Sequence, residues 1–138
     1  MKITLNRKNE NYLLEAKNEN GNTILIDNSS EHGGENSGFR PMQMLLAALG
    51  GCSSMDIISI LKKQRIDDFQ LNLTINGKRE SGNDANLWKA VHVTFTFSSN
   101  VPKEKAERAV QLSIEKYCSV SKTLEAAGAA ITYDVIIS

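Results

Sequence analysis

The segment Pro41–Arg65, PMQMLLAALGGCSSMDIISILKKQR, constrains this chain more than any other. Proline suits a first helical position, where its missing N–H would be unpaired anyway. The basic run Lys62-Lys63-Gln64-Arg65 suits a helix C-terminus. Between the two, nearly every position is apolar or small, the mark of a helix buried all round rather than laid on a surface. A chain of 138 residues can build one core but has little else with which to cover such a helix. Ala47, Ala48, Gly50, Gly51, Ser53 and Ser54 let a second backbone come close, although each glycine costs on the order of 1 kcal/mol in helix propensity. Helix-against-helix packing in an intertwined homodimer is the economical expectation. Glycines, serines and Asp56 interrupt the apolar run, whose longest stretch is Met44–Leu49, so no membrane span is expected.

The flanking segments read as short strands and two further helices. Ile3/Leu5, Tyr12/Leu14/Ala16 and Thr23–Ile26 are separated by Asn9–Asn11 and Glu19–Asn22, the small polar residues of tight hairpins, which predicts a three-stranded antiparallel meander. Asp27–Arg40 holds three glycines and almost nothing apolar, so an exposed loop is expected, long enough to suggest a function. Phe69/Leu71/Leu73/Ile75 and Val91/Val93/Phe95/Phe97 alternate with polar residues across a turn at Ser81–Asn83 and predict a hairpin. A helix from Pro102 to near Cys118 carries Ala106, Ala109, Val110, Ile114 and Tyr117 on one face and a Glu104–Arg108 pair on the other. A third runs from Ser119 or Ser121 to Ala127, with Gly128 closing it. Ile131/Tyr133/Val135/Ile137 predict a last strand. The order is β-β-β-α-β-β-α-α-β, a single α+β domain over residues 1–138 with mainly antiparallel sheet around a long central helix.

Sixteen basic and sixteen acidic residues cancel, so nucleic acid or an acidic membrane is not an expected partner. The N-terminal MKITLNRKNE lacks the apolar core and cleavage site of a secretory signal, and a cytoplasmic location is expected. In that reducing setting the two cysteines are either inert core residues or do chemistry together. Cys52 lies well inside the central helix, beyond the reach of the helix dipole, and reads as a buried, sluggish thiol unless a cation reaches it. Cys118 falls at a helix-to-helix corner, where the N–H groups of Ser119–Lys122 favour a thiolate. Asp56 is the odd carboxylate of the apolar helix; it either caps or pairs across a dimer, or hydrogen-bonds near the thiol. His32 reads as a solvated loop residue rather than a metal ligand, since no second histidine or cysteine stands at ligand spacing. His92 falls on the polar face of its strand, and Trp88 and Tyr117 read as core or interface aromatics.

Two motifs carry a resemblance. GFRPMQMLLAALGGCSSMD, Gly38–Asp56, with Pro41 eleven residues before Cys52, resembles the signature of the OsmC/Ohr family, the osmotically inducible and organic hydroperoxide resistance proteins. KYCSVSKTL, Lys116–Leu124, resembles the family's second-cysteine motif, and the order of elements resembles its fold from end to end. The resemblance implies a thiol-dependent hydroperoxide reductase without metal or organic cofactor. Cys52 as thiolate would attack the peroxide and become a sulfenic acid, Cys118 would condense with it to a disulfide, and a dithiol reductant would reopen the bond. It also implies an arginine that activates the thiolate, oriented by a glutamate directly after the proline. Met42 stands at the glutamate's position; Arg7 and Arg40 precede Cys52, and Arg40, at the end of the glycine-rich loop, is the candidate, with a solvated arginine beside a helix start as the alternative. A thiol among Met42, Met44, Leu45 and apolar residues of a partner implies a preference for organic peroxides. Met42 in place of the glutamate favours a second possibility, a non-enzymatic dimer of the same fold that binds a small apolar or thiol-reactive ligand.

Overall fold

A computed structural model describes all 138 residues. The chain divides into two compact units, Met1–Leu45 and Leu46–Ser138. In the first, β1 (Ile3–Arg7), β2 (Leu14–Asn18) and β3 (Thr23–Ile26) form the expected antiparallel meander, with Leu5 opposite Ala16 and Ala16 opposite Ile24. Ala16 is buried, whereas Leu5 and Ile24 in the same row stay more than half exposed.

The segment that follows β3 is more ordered than its composition suggests. Its ends are tied by the N–H of Phe39 donating to Leu25 O at 3.0 Å and that of Asp27 to Phe39 O at 3.1 Å. Asp27 is buried and its carboxylate accepts the N–H groups of Asn28, Glu35 and Ser37 at 2.8, 3.1 and 3.0 Å. Those bonds, Ser37's foremost, hold its carboxyl below the usual aspartate range. Two of the glycines are there for space: a Cβ on Gly34 would sit 2.0 Å from Asn28 O, and one on Gly38 would sit 2.5 Å from the Leu25 carbonyl. The loop is folded around one carboxylate, with Gly34 and Gly38 letting backbone meet backbone.

The long helix α1 runs from Pro41 to Lys63, as the sequence predicts. By length and apolar composition alone it could cross a membrane. Its Leu49, Ile57 and Leu61 are instead fully buried in the core of the second unit. Gly50 is used within the chain, its Cα facing Ile75, while a Cβ on Gly51 would meet nothing within 4 Å. Burial all round is not reached within one chain: Met55 is 71% exposed.

In the second unit β4 (Leu71–Arg79), β5 (Trp88–Phe97) and β6 (Ala130–Ile137) form a sheet with β5 in the middle. Val91, Val93, Phe95 and Phe97 point into a core shared with α1 and with α2 (Lys103–Leu112) and α3 (Ser119–Ala126). The β4–β5 hairpin is antiparallel as expected. β6 departs from the antiparallel expectation and lies parallel to β5, Val91 opposite Ile131 and Phe97 opposite Ile137, because the α2–α3 connection is long enough to carry the chain back to the end where β5 began.

Two local expectations change. Arg108 donates to Gln111 Oε1 at 2.9 Å rather than pairing with Glu104, and Lys103 faces Glu107 at 3.8 Å. The second helix is not regular up to Cys118: it passes at Ser113–Tyr117 into a single π-turn, which leaves Tyr117 half exposed.

Candidate functional site

The π-turn builds the site. Its wide ring is closed by the N–H of Cys118 donating to Ser113 O at 2.8 Å, five residues back, a geometry that recurs at functional sites because it redirects one side chain without ending the helix. Cys118 then serves as the N-cap of α3, its sulfur accepting the N–H of Ser121 at 3.4 Å. From the other side α1 presents Cys52 and, one turn later, Asp56, the i,i+4 spacing that puts two side chains on one face.

The sulfurs of Cys52 and Cys118 and a carboxylate oxygen of Asp56 all lie within 4.8 Å of one another. Both thiols are free. Cys118 is fully buried, whereas Cys52 and Asp56 are partly open. The hydroxyl of Ser113 lies 3.0 Å from Asp56 Oδ2 and 3.2 Å from Ser53 O, so its one proton goes to the nearer, carboxylate acceptor or is shared between the two. Ser53 in turn donates to Leu49 O at 2.8 Å. The hydroxyl of Ser121 is buried with no hydrogen-bond partner.

At Cys118 two expectations compete. The helix corner does supply an N–H to the sulfur, which lowers the thiol's pKa. Burial outweighs it and, with the neighbouring Cys52 thiol, pushes Cys118 up to about 11. Cys118 is therefore a protonated thiol at neutral pH, contrary to the thiolate expected from sequence.

Cys52 and Cys118 are brought together, and Asp56 resolves to the reading in which it hydrogen-bonds beside the thiols. Arg40 belongs to the first unit, while the cluster is built wholly within the second. Arg40 is exposed and its N–H donates to Gln43 Oε1 at 3.0 Å. Ser113 escaped the sequence reading; the one signal was a lone serine among the apolar positions that precede the second cysteine. His32 is exposed beside Ser29, 2.8 Å away. His92 is held on the outer sheet face between Thr132, at 2.7 Å, and Asp134, at 3.0 Å.

The family model described as OsmC-like protein matches residues 34–134, which takes in both cysteine motifs and all of the cluster. The chain belongs to the OsmC-like family. Protein YhfA of Escherichia coli K12 is 36% identical over 125 residues, covering 88% of each chain. A crystal structure of a protein from Aquifex aeolicus VF5 superposes with a TM-score of 0.79 at 28% identity, covering 99% of this chain and 96% of that one. The organic hydroperoxide resistance protein OhrB of Bacillus subtilis shares the fold, with a TM-score of 0.64 at 17% identity over 97% of this chain and 96% of its own.

Proposed function

We propose that this OsmC-like protein is a thiol-dependent hydroperoxide reductase of the cytoplasm, acting as a homodimer on organic hydroperoxides. The observation that carries the reading is the pair of free sulfurs within 4.8 Å, one partly open and one fully buried. That asymmetry assigns the roles. Cys52, the accessible sulfur, as thiolate attacks the terminal oxygen of the peroxide; the O–O bond breaks, an alcohol leaves, and Cys52 becomes a sulfenic acid. Cys118, kept protonated by burial, does not compete for peroxide. It attacks the Cys52 sulfur once that sulfur is oxidised, water leaves, and a disulfide forms that a dithiol reductant reopens. Asp56 is within reach to take the Cys118 proton. Cys52 packs against the apolar core of its unit, a setting that favours an organic peroxide over hydrogen peroxide. Arg40 is assigned the activating role by family resemblance alone, and Arg40→Gln tests it.

The homodimer is supported by what one chain leaves uncovered: Met55 and the open flank at Gly51 on α1, and Leu5 and Ile24 on the first sheet. To test the function, reduced protein is mixed with one equivalent of cumene hydroperoxide or of hydrogen peroxide, and free thiols are followed over seconds to minutes. Both thiols should disappear, faster with the organic peroxide; Cys52→Ser should block the reaction, and Cys118→Ser should stop it at sulfenic or overoxidised Cys52. Thiols that stay free would leave the non-enzymatic ligand-binding dimer as the better account.

A further inference from the structure

The same cluster has the composition and spacing of a soft-metal site. Cys52 and Asp56 stand at i,i+4 on one helix, the spacing by which a helix offers two ligands to one ion. A third ligand, Cys118, comes from the corner that the π-turn sets up. On a tetrahedral zinc ion the bond lengths to sulfur and oxygen put ligand atoms about 3.5–3.8 Å apart. From separations of at most 4.8 Å this asks for closure by about 1 Å, which side-chain rotation supplies.

Two ligands already have outer partners of the kind metal ligands use. The Ser113 hydroxyl donates to Asp56 Oδ2, and the Ser121 N–H supports the Cys118 sulfur. Two thiolates with one carboxylate select a thiophilic ion over magnesium or calcium, which take oxygen ligands, and over an iron–sulfur cluster, which needs more thiolates.

We propose that the reduced protein binds one Zn2+ ion per chain through Cys52, Asp56 and Cys118, with the fourth coordination position open on the exposed side of Cys52 and Asp56. Binding replaces two thiol protons by the metal; the protons leave to solvent and no electrons move. Zinc then holds both sulfurs that would form the disulfide, so the metal-bound and disulfide states exclude each other. The binding does not depend on reactivity toward peroxide, and its test uses none.

Reduced full-length protein is titrated anaerobically with Co2+, which is then displaced by Zn2+. One Co2+ per chain should give a sulfur-to-cobalt charge-transfer band in the near ultraviolet, bleached by one equivalent of Zn2+. Cys52→Ser, and wild-type protein oxidised to the disulfide with diamide, should lose the band. Asp56→Asn should weaken Zn2+ binding at least about tenfold, and Asp134→Ala, on the outer sheet face, should leave it unchanged. The absence of the band in reduced wild-type protein, or its persistence in Cys52→Ser, overturns the proposal. Circular dichroism checks that each variant is folded. Independently of any variant, stoichiometric Zn2+ should protect the accessible thiol of wild-type Cys52 from iodoacetamide, and alkylation of Cys52 at an unchanged rate would also overturn it.

Discussion

The chain holds two shielded aspartates with opposite employment. Asp27 has three backbone N–H donors on its carboxylate and organises a loop. Asp56 has one hydroxyl donor, from Ser113, and two thiols close by. Both carboxylates avoid the cost of an unpaired charge, but the second keeps the greater share of its acceptor capacity to spare. A carboxylate held by three backbone donors fixes structure; one with a single donor beside a nucleophile is available for proton transfer or for a metal.

The contrast can be broken at either end. The largest effect is expected at the thiol site: Asp56→Asn keeps the shape and the Ser113 contact but removes the proton acceptor. It should slow disulfide formation by about 100-fold, measured by stopped-flow loss of Cys118 thiol after one equivalent of cumene hydroperoxide, while thermal unfolding changes little. Asp27→Ala should do the reverse. It strands the N–H groups of Asn28, Glu35 and Ser37 and should make the segment between β3 and α1 sensitive to limited proteolysis, with the two thiols still able to form their disulfide.

Acid sharpens the comparison. The carboxyl of Asp27 titrates below the ordinary aspartate range, so its contribution is fully present above about pH 4 and is lost as the pH falls through its own lower value. The amides of Glu35 and Ser37 should therefore stay protected from hydrogen exchange at pH 5, and lose protection only as the pH falls through the carboxyl's own, lowered value. A loop that opens at pH 5 would mean the three N–H bonds do not hold it. The smallest effect belongs to Ser121. Its buried hydroxyl has no partner, so Ser121→Ala should leave stability unchanged or raise it by up to about 1 kcal/mol, read by urea denaturation.

What the sequence revealed and what it hid follow from the range of the interactions involved. Strands and helices were legible because alternation such as Val91/Val93/Phe95/Phe97 is local and reports a buried face directly. The central helix was legible for the same reason; that the two cysteines lie side by side was suggested by two motifs at a characteristic separation. The direction of β6 depends on how far two helices carry the chain, which no local pattern encodes. The π-turn at Ser113–Tyr117 differs from an ordinary helix by one hydrogen-bond step and leaves the apolar spacing almost intact. The Asp27 loop is exposed along most of its length, as its polar composition predicts; what the sequence hid is its order, which comes from backbone donors that no side-chain pattern displays. The tendency of Cys118 was misjudged because the corner N–H was visible in sequence whereas the burial opposing it was not.

Peptide mapping decides whether Cys52 and Cys118 are one redox pair. Reduced protein is treated with one equivalent of cumene hydroperoxide, alkylated, digested without reductant and analysed by mass spectrometry. The peptides carrying Cys52 and Cys118 should be recovered joined by a disulfide, with intact mass lower by two hydrogens. Recovery of both peptides singly alkylated, or of Cys52 oxidised while Cys118 remains a free thiol, would contradict the pairing.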